Sequence, residues 1–100
     1  MELTIHKIKI APEYFVSIVE GRKKAELRKN DRNYKSGDLL WLSVLGQGEL
    51  AGEELMAVIT HVLPVSEIIE GCEGWVILSI DPKSPQMASE FIIERVQSWQ

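Results

Sequence analysis

The side chains best suited to chemistry are concentrated in a basic segment, residues 21–32. It runs Gly-Arg-Lys-Lys-Ala-Glu-Leu-Arg-Lys-Asn-Asp-Arg and sets six basic side chains against two acidic ones. The segment therefore carries a charge of +4, whereas the rest of the chain, with five basic and thirteen acidic residues, carries −8. Because salt confines each field to about 8 Å, this segment can attract an anion locally even on an acidic protein. The alternative interpretation is a solvated charged turn.

Alternation within the basic segment predicts a strand with one functional face. Lys24, Glu26 and Arg28 should project together, opposite a buried face made by Ala25 and Leu27. A carboxylate beside a guanidinium can hold it in one rotamer, and the planar guanidinium suits a phosphate or a nucleobase edge. A plain surface ion pair would contribute only about 0–1 kcal/mol. The pattern thus indicates either a binding cleft or a solvated pair.

Individual residues around this face suggest separate roles. Lys23 has cationic neighbours, which favour an uncharged amine that would act as a nucleophile or base, with Glu26 as its catalytic partner. Tyr34 follows in the next turn and is a candidate for stacking on a base. Trp41 lies in an apolar strand and is predicted to be core. The remaining candidate contacts to phosphate are Arg22, Lys24, Lys29 and Arg32.

Hydrophobic periodicity predicts a small α+β, mainly β fold. Alternating or apolar runs indicate strands, and 3.6-residue spacing indicates an early helix closed by Gly21 and a second helix near the C-terminus. Prolines in residues 81–85 should break the chain. The predicted strands are 4–10, 24–29, 39–45, 55–63 and 75–80, and the predicted helices are 12–20 and 86–98. Five short strands favour a mostly antiparallel barrel, since closing a sheet removes its edges.

Composition limits the class of protein. One hundred residues, 45% hydrophobic and 26% charged, suit one modest core. No apolar run approaches the roughly 20 residues of a membrane helix, and no secretory signal is visible. Cys72 is the single cysteine, so no internal disulfide forms, and no Cys/His spacing suggests a metal. We therefore expect a cytoplasmic protein without metal or cofactor, whose oligomeric state is open.

Several motifs together resemble a known family. They are the segment from His6 to Phe15 with the pattern His-x-x-Lys-Ile and Pro-x-x-Phe, then the basic segment with Gly-x-Lys-x-x-Glu-x-Arg-x-Asn-Asp-Arg, then Gly37-Asp38. The run from Gly74 to Ile80 is similar to the family's closing strand. Over residues 5–81 the chain resembles an uncharacterised bacterial and phage family in the ASCH group of the PUA-like superfamily.

That resemblance implies a pseudo-barrel with a cleft lined by the basic segment, where the wider superfamily binds RNA or modified nucleosides. Some ASCH members are amidohydrolases on acetylated cytidine that use a Lys, a Thr three residues later and a distant Glu. Lys23 matches the lysine, but Glu26 stands at the Thr position. The distant acid has no aligned counterpart among Glu67, Glu70 and Glu73.

These observations combine into one prediction with two alternatives. The chain is expected to be a PUA-like pseudo-barrel of five to six strands, with domain 1–81 and a C-terminal helical extension, 82–100. Its cleft is expected to bind RNA or a nucleotide. The alternatives are a small amidohydrolase acting on an acylated nucleoside and a module that binds an acidic protein.

Overall fold

The structure, a computed structural model, describes residues 3–83. The predicted C-terminal helix lies outside these residues. The five strands are β1 (Ile5–Ile10), β2 (Ala25–Lys29), β3 (Leu39–Val44), β4 (Glu54–Pro64) and β5 (Trp75–Lys83). Helix α1 (Pro12–Val19) joins β1 to β2, and a short 3-10 turn (Val65–Glu67) joins β4 to β5. All five strands and the early helix were predicted from periodicity.

The strands form one curled half-barrel sheet in the order β1-β3-β4-β5-β2. Strand β1 pairs with β3 in parallel, and the other three pairings are antiparallel. The prediction of a small, mainly β pseudo-barrel is confirmed. Strands β1 and β2 remain as the two edges of the sheet, so the chain brings its first two strands to opposite ends of one curved surface.

The core lies inside the curve and explains the alternation in β1. Ile8 and Ile10 point inward and are buried, while Lys7 and Lys9 between them are exposed. Helix α1 covers part of this interior with two side chains one turn apart, Phe15 and Ile18. The strands supply the rest of the core, mainly Leu40, Leu42, Val44, Ala57, Ile59, Val76, Leu78 and Ile80.

The end of α1 determines where the basic segment starts. Gly21 adopts a φ of 78°, a left-handed conformation that glycine accepts at little cost and that reverses the chain after a helix. The backbone N–H groups of Arg22 and Lys23 both donate to the Ser17 carbonyl, at 2.9 and 3.0 Å. This cap places Lys23 immediately before β2.

A buried polar pair joins β1 to the turn that precedes β3. His6 Nε2 donates to Asp38 Oδ2 at 2.8 Å, and the Lys35 backbone N–H donates to the same oxygen at 3.0 Å. The Tyr34 ring packs edge-on against the His6 ring, with centroids 4.7 Å apart. Two motif residues 32 positions apart thus stabilise the same corner of the sheet.

Two predictions about the strands were wrong. Residues 81–83 do not break the chain but continue β5, with Pro82 opposite Ala57. β5 extends here beyond the start of β2, and proline is tolerated where a strand lacks a partner on one side. Trp41 is only half-buried, on the face opposite the core, where its indole N–H donates to the Glu54 carboxylate and Lys7 Nζ lies 4.5 Å from the ring centroid.

Within the described residues no helix is long and apolar enough to cross a membrane.

Candidate functional site

A cleft of about 570 Å³ opens between the two edges of the sheet, where the start of α1 meets β2. Four cationic side chains and two aromatic side chains line it together with one carboxylate. The lining residues are Lys9, Ile10, Ala11, Tyr14, Lys23, Glu26, Leu27, Arg28, Lys29 and Trp75. Of the predicted face made by Lys24, Glu26 and Arg28, the last two line this cleft. Lys23, the predicted nucleophile or base, lines it with them.

Glu26 organises the cleft as a buried carboxylate between two cations. Its side chain is 7% exposed; Oε1 lies 3.0 Å from Lys23 Nζ, and Oε2 accepts from Arg28 Nε at 3.0 Å. Lys23 also donates to the Ala25 carbonyl at 2.6 Å, and its ammonium lies 5.3 Å from the centroid of the Tyr14 ring. The Lys23 amine nitrogen is therefore held in place by a carboxylate and a backbone carbonyl.

The expected burial of β2 was reversed. Glu26 is buried, whereas Leu27, predicted to be core, is 59% exposed and Ala25 is half-buried. The two faces do alternate as predicted, but the inner face of the half-barrel carries the charged residues. A buried carboxylate is tolerated when it is paired and hydrogen-bonded, and both Glu26 oxygens have a cationic partner here.

Two arginines span the gap between the edge strands. Arg28 Nη2 donates to the Lys9 carbonyl at 2.8 Å, and Arg32 Nη1 donates to the Lys7 carbonyl at 3.0 Å. The carbonyls of Thr4, just before β1, and of Ile10 point the other way, where they accept from Leu39 and Leu45 at the two ends of β3. The arginines thus satisfy carbonyls on the open edge of β1, so part of each guanidinium has a structural role that the sequence did not reveal.

A second hollow of about 400 Å³ lies beyond Arg28 along the same gap. It shares Lys9, Arg28 and Lys29 with the cleft and adds Arg32 and Tyr34, together with Ile8, Asp31 and Leu45. The basic groups therefore follow the gap rather than cluster at one point.

Tyr34 does not fit the predicted stacking role. Its side chain is buried, 4% exposed, and its ring packs on His6. Burial raises the pKa of the Tyr34 phenol above its ordinary value of 10.0, and the nearby Arg28 and Arg32 charges partly oppose this shift. The ring belongs to the wall of the half-barrel and has no free face for a base.

Two of the predicted phosphate contacts lie elsewhere. Arg22 is exposed and pairs with the Glu20 carboxylate at the end of α1. Lys24 is exposed and lines neither hollow. The acids considered for a distant catalytic role, Glu67, Glu70 and Glu73, are exposed and also absent from both walls.

Sequence reasoning missed Lys9, Tyr14 and Trp75 as cleft residues. In the predicted elements, Lys9 falls in the first strand, Tyr14 in the early helix and Trp75 at the beginning of the last strand. Tyr14 and Trp75 are 52% and 40% exposed. The signal that could have identified Tyr14 and Trp75 is an exposed aromatic side chain beside a cationic strand. Only the sheet order brings Lys9, Tyr14 and Trp75 to the basic segment.

Comparison with known proteins identifies the family. Residues 5–80 match the family described as Domain of unknown function (DUF3850). The chain belongs to this family. The matched part of the DUF3850 domain runs from the first residue of β1 to Ile80 in β5, so it contains every residue that lines the cleft.

A DUF3850 relative is found in a bacteriophage. Over 70 residues the chain is 43% identical to the "Uncharacterized 12.9 kDa protein in GpA 3'region" of Escherichia phage P2. The similar region is 70% of this chain and 64% of the phage protein. The DUF3850 domain described here is therefore shared with a phage protein that continues beyond the similarity.

Among residues 3–83 of the DUF3850 domain, no three His, Cys, Asp or Glu side chains converge as metal ligands would. The side chains that line the cleft offer cationic, carboxylate and aromatic groups.

Proposed function

We propose that the cleft binds RNA or a nucleotide. The observation that carries the proposal is the convergence of Lys9, Lys23, Arg28 and Lys29 with two exposed aromatic rings around one concave space. Among the described lining residues only Glu26 opposes these charges, so this part of the lining carries a net charge of +3. Cations suit phosphates, and an exposed aromatic ring provides a stacking surface that every base can use.

The contacts within the cleft indicate different roles for its cations. Glu26 holds Lys23 and Arg28 in place, and Arg28 is further tied to β1. Lys9 and Lys29 are exposed and make no side-chain hydrogen bond among the described residues. We assign phosphate contacts to Lys9 and Lys29, and contact with a base or a phosphate to the remaining N–H groups of Arg28.

The family resemblance supports the same proposal. The basic segment resembles that of ASCH proteins in the PUA-like superfamily, where the corresponding cleft binds RNA or modified nucleosides. A mainly β half-barrel with a basic cleft at its seam is the architecture that such an assignment requires. We therefore propose that this DUF3850 domain is PUA-like, and that its ligand binds between β1 and β2.

Salt-dependent binding of a fluorescein-labelled single-stranded RNA decamer tests the proposal. Fluorescence anisotropy should give an affinity that falls as salt rises, because bound phosphates release counterions. Lys29→Ala should weaken binding and reduce the salt slope by about one. Lys24→Ala is the matched control, since it removes the same charge from the neighbouring exposed surface. Equal effects of the two substitutions would contradict a ligand seated in the cleft.

Arg28→Ala separates a preoriented side chain from a simple charge. We expect it to weaken RNA binding more than Lys29→Ala does, because it removes an oriented planar donor as well as a charge. Thermal unfolding of both variants shows whether the fold survives. If RNA fails to bind at every salt concentration, the remaining candidate partner of the basic segment is an acidic protein.

The contact between Lys23 and Glu26 favours one second candidate, hydrolysis of an acylated nucleoside. Lys23 would be the nucleophile or base and Glu26 its partner, at 3.0 Å in the cleft wall. Incubation with N4-acetylcytidine tests this, with cytidine release measured by chromatography. Loss of turnover in Lys23→Ala with RNA binding retained would support it, whereas the absence of turnover in the wild type would exclude this substrate.

A further inference from the structure

The pairing of β2 with β5 leaves part of the β2 backbone without a strand partner among residues 3–83. Asn30 N–H donates to the Gly74 carbonyl and Ile80 N–H to the Lys24 carbonyl, so both pairs belong to the hydrogen-bonded set of this antiparallel ladder. The register between these pairs has no bulge. Because hydrogen-bonded and free residues alternate along such a ladder, the N–H and C=O groups of residues 25, 27 and 29 point away from β5.

Ala25 and Leu27 differ in what contacts these outward-pointing groups. The Ala25 carbonyl accepts from Lys23 Nζ at 2.6 Å, which confirms the direction in which it points. Leu27 lies between Glu26 and Arg28 in the cleft wall, and no backbone or side-chain partner is found for its N–H or C=O among the described residues. A donor and an acceptor from one residue therefore face the cleft side by side.

Resting on the proposed function, we infer that the Leu27 backbone reads the base of the bound nucleotide. Its N–H and C=O form an adjacent donor and acceptor, and each nucleobase presents an adjacent donor and acceptor on its pairing edge. The Leu27 backbone would then hydrogen-bond the edge of a base, while Lys9 and Lys29 bind phosphate. Base recognition would then use backbone N–H and C=O groups, which a sequence motif of side chains does not reveal.

A peptide strand is a poorer occupant of this edge. Addition of a strand needs a run of free backbone groups and an unobstructed edge. Lys23 already occupies the Ala25 carbonyl, and the Arg28 side chain crosses the gap to the Lys9 carbonyl. The free edge between these two side chains is a single residue, which suits a small planar group.

Leu27→Pro tests the inference, because proline removes the N–H without removing a bond to β5. Proline is accepted in edge strands where the missing N–H faces outward, and the preceding Glu26 is already extended, as proline requires. Ala25→Pro is the matched control, since it removes an outward N–H of the same strand from a residue outside the cleft lining. Leu27→Ala retains the backbone and controls for the side chain.

The probes are a fluorescein-labelled decauridylate and an abasic ribose-phosphate decamer of equal length and charge. Wild type and Ala25→Pro should bind the decauridylate more tightly than the abasic probe, and Leu27→Ala should retain that preference. Leu27→Pro should weaken decauridylate binding roughly two- to tenfold, the cost of one hydrogen bond, and leave binding of the abasic probe unchanged.

The possible outcomes separate this inference from the proposed function. If the wild type binds neither probe, the proposed function is wrong and the inference fails with it. If the wild type binds both probes equally, or if Leu27→Pro keeps the base preference, the cleft binds phosphate but Leu27 does not read a base.

A measurement on the wild type covers the case in which Leu27→Pro fails to fold. Titration with uridine 5′-monophosphate, followed by amide NMR, should shift the Leu27 N–H resonance more than that of Ala25. An unmoved Leu27 resonance at saturation would overturn the inference.

Discussion

The Glu26 carboxylate pairs with two cations, and the surrounding residues shield it from water. Its side chain is 7% exposed, while those of Lys23 and Arg28 are 25% and 27% exposed. The contribution of such a buried carboxylate to folding stability depends on its partners, because an unpaired buried charge destabilises the folded state. Removing the carboxylate charge would leave the Lys23 and Arg28 cations on either side of residue 26 without the charge that lies between them.

Glu26→Gln should therefore lower the free energy of unfolding by about 2–3 kcal/mol. Glu20→Gln is the matched control, since it breaks the exposed pair with Arg22, and should cost at most about 1 kcal/mol. Urea denaturation of the two variants measures both values. A Glu26→Gln variant as stable as Glu20→Gln would show that the carboxylate does not organise the cleft.

Tyr34 gives a prediction on alkaline pH. Burial raises the pKa of its phenol above 10.0, so the unfolded chain loses this proton first as pH rises. The stability that the neutral phenol contributes to the folded state is fully present below pH 10.0 and is lost as pH rises through the folded-state pKa. Above pH 10.0 the wild type should lose stability more steeply than Tyr34→Phe, as measured by urea denaturation at several pH values. Parallel curves would argue against burial of the phenol.

At the scale of elements, the seam between β1 and β2 replaces a missing row of backbone hydrogen bonds with side chains. Arg28 and Arg32 cap the Lys9 and Lys7 carbonyls of β1, and Lys23 caps the Ala25 carbonyl of β2. An open strand edge invites unwanted pairing, and charged side chains are one way in which proteins protect it. The same cations therefore close the half-barrel and line the two hollows along its seam.

Arg32→Ala should loosen β1 locally. The Lys7 carbonyl loses its partner, so the amides of His6 and Ile8, which face β3, should exchange with solvent roughly two- to tenfold faster. Amides that pair β4 with β5 should change little. Hydrogen-exchange NMR measures both sets, and Arg22→Ala serves as the control outside the seam. Uniform acceleration across the sheet would mean that Arg32 acts on global stability instead.

At the scale of the whole molecule, the His6–Asp38 pair joins β1 to the turn before β3 at one end of the β1–β3 ladder. Asp38 Oδ2 accepts from both the His6 ring and the Lys35 backbone inside the fold. The pair has no contact with ligand in the proposed function, so its contribution is to the fold.

Asp38→Ala should destabilise the whole fold by about 2–3 kcal/mol, because it leaves a buried imidazole and a backbone N–H without their acceptor. Asp31→Ala, at an exposed position nearby, should change the free energy of unfolding by less than about 0.5 kcal/mol. Urea denaturation compares the two. RNA affinity measured well below the melting temperature should stay unchanged in Asp38→Ala, and a large loss would connect this corner to the cleft.

Periodicity alone predicted the elements and their approximate bounds. Residues 5–10 alternate, Phe15 and Ile18 recur at helical spacing, and Gly21 ends the helix, because these patterns report local backbone geometry. The errors occur where tertiary context decides. Leu27 looked like core and Glu26 like surface, but the curve of the sheet turned the charged face inward, where paired cations compensate the carboxylate.

The sequence by itself determined the family, the mainly β class and the segment that carries the charge. These depend on residue types and on short-range spacing. Only the tertiary structure decided that β2 lies opposite β1 across a cleft, because sheet order depends on contacts between residues far apart in the chain. That order adds Lys9, Tyr14 and Trp75 to the site, assigns Arg32 to the seam, and exposes the Leu27 backbone.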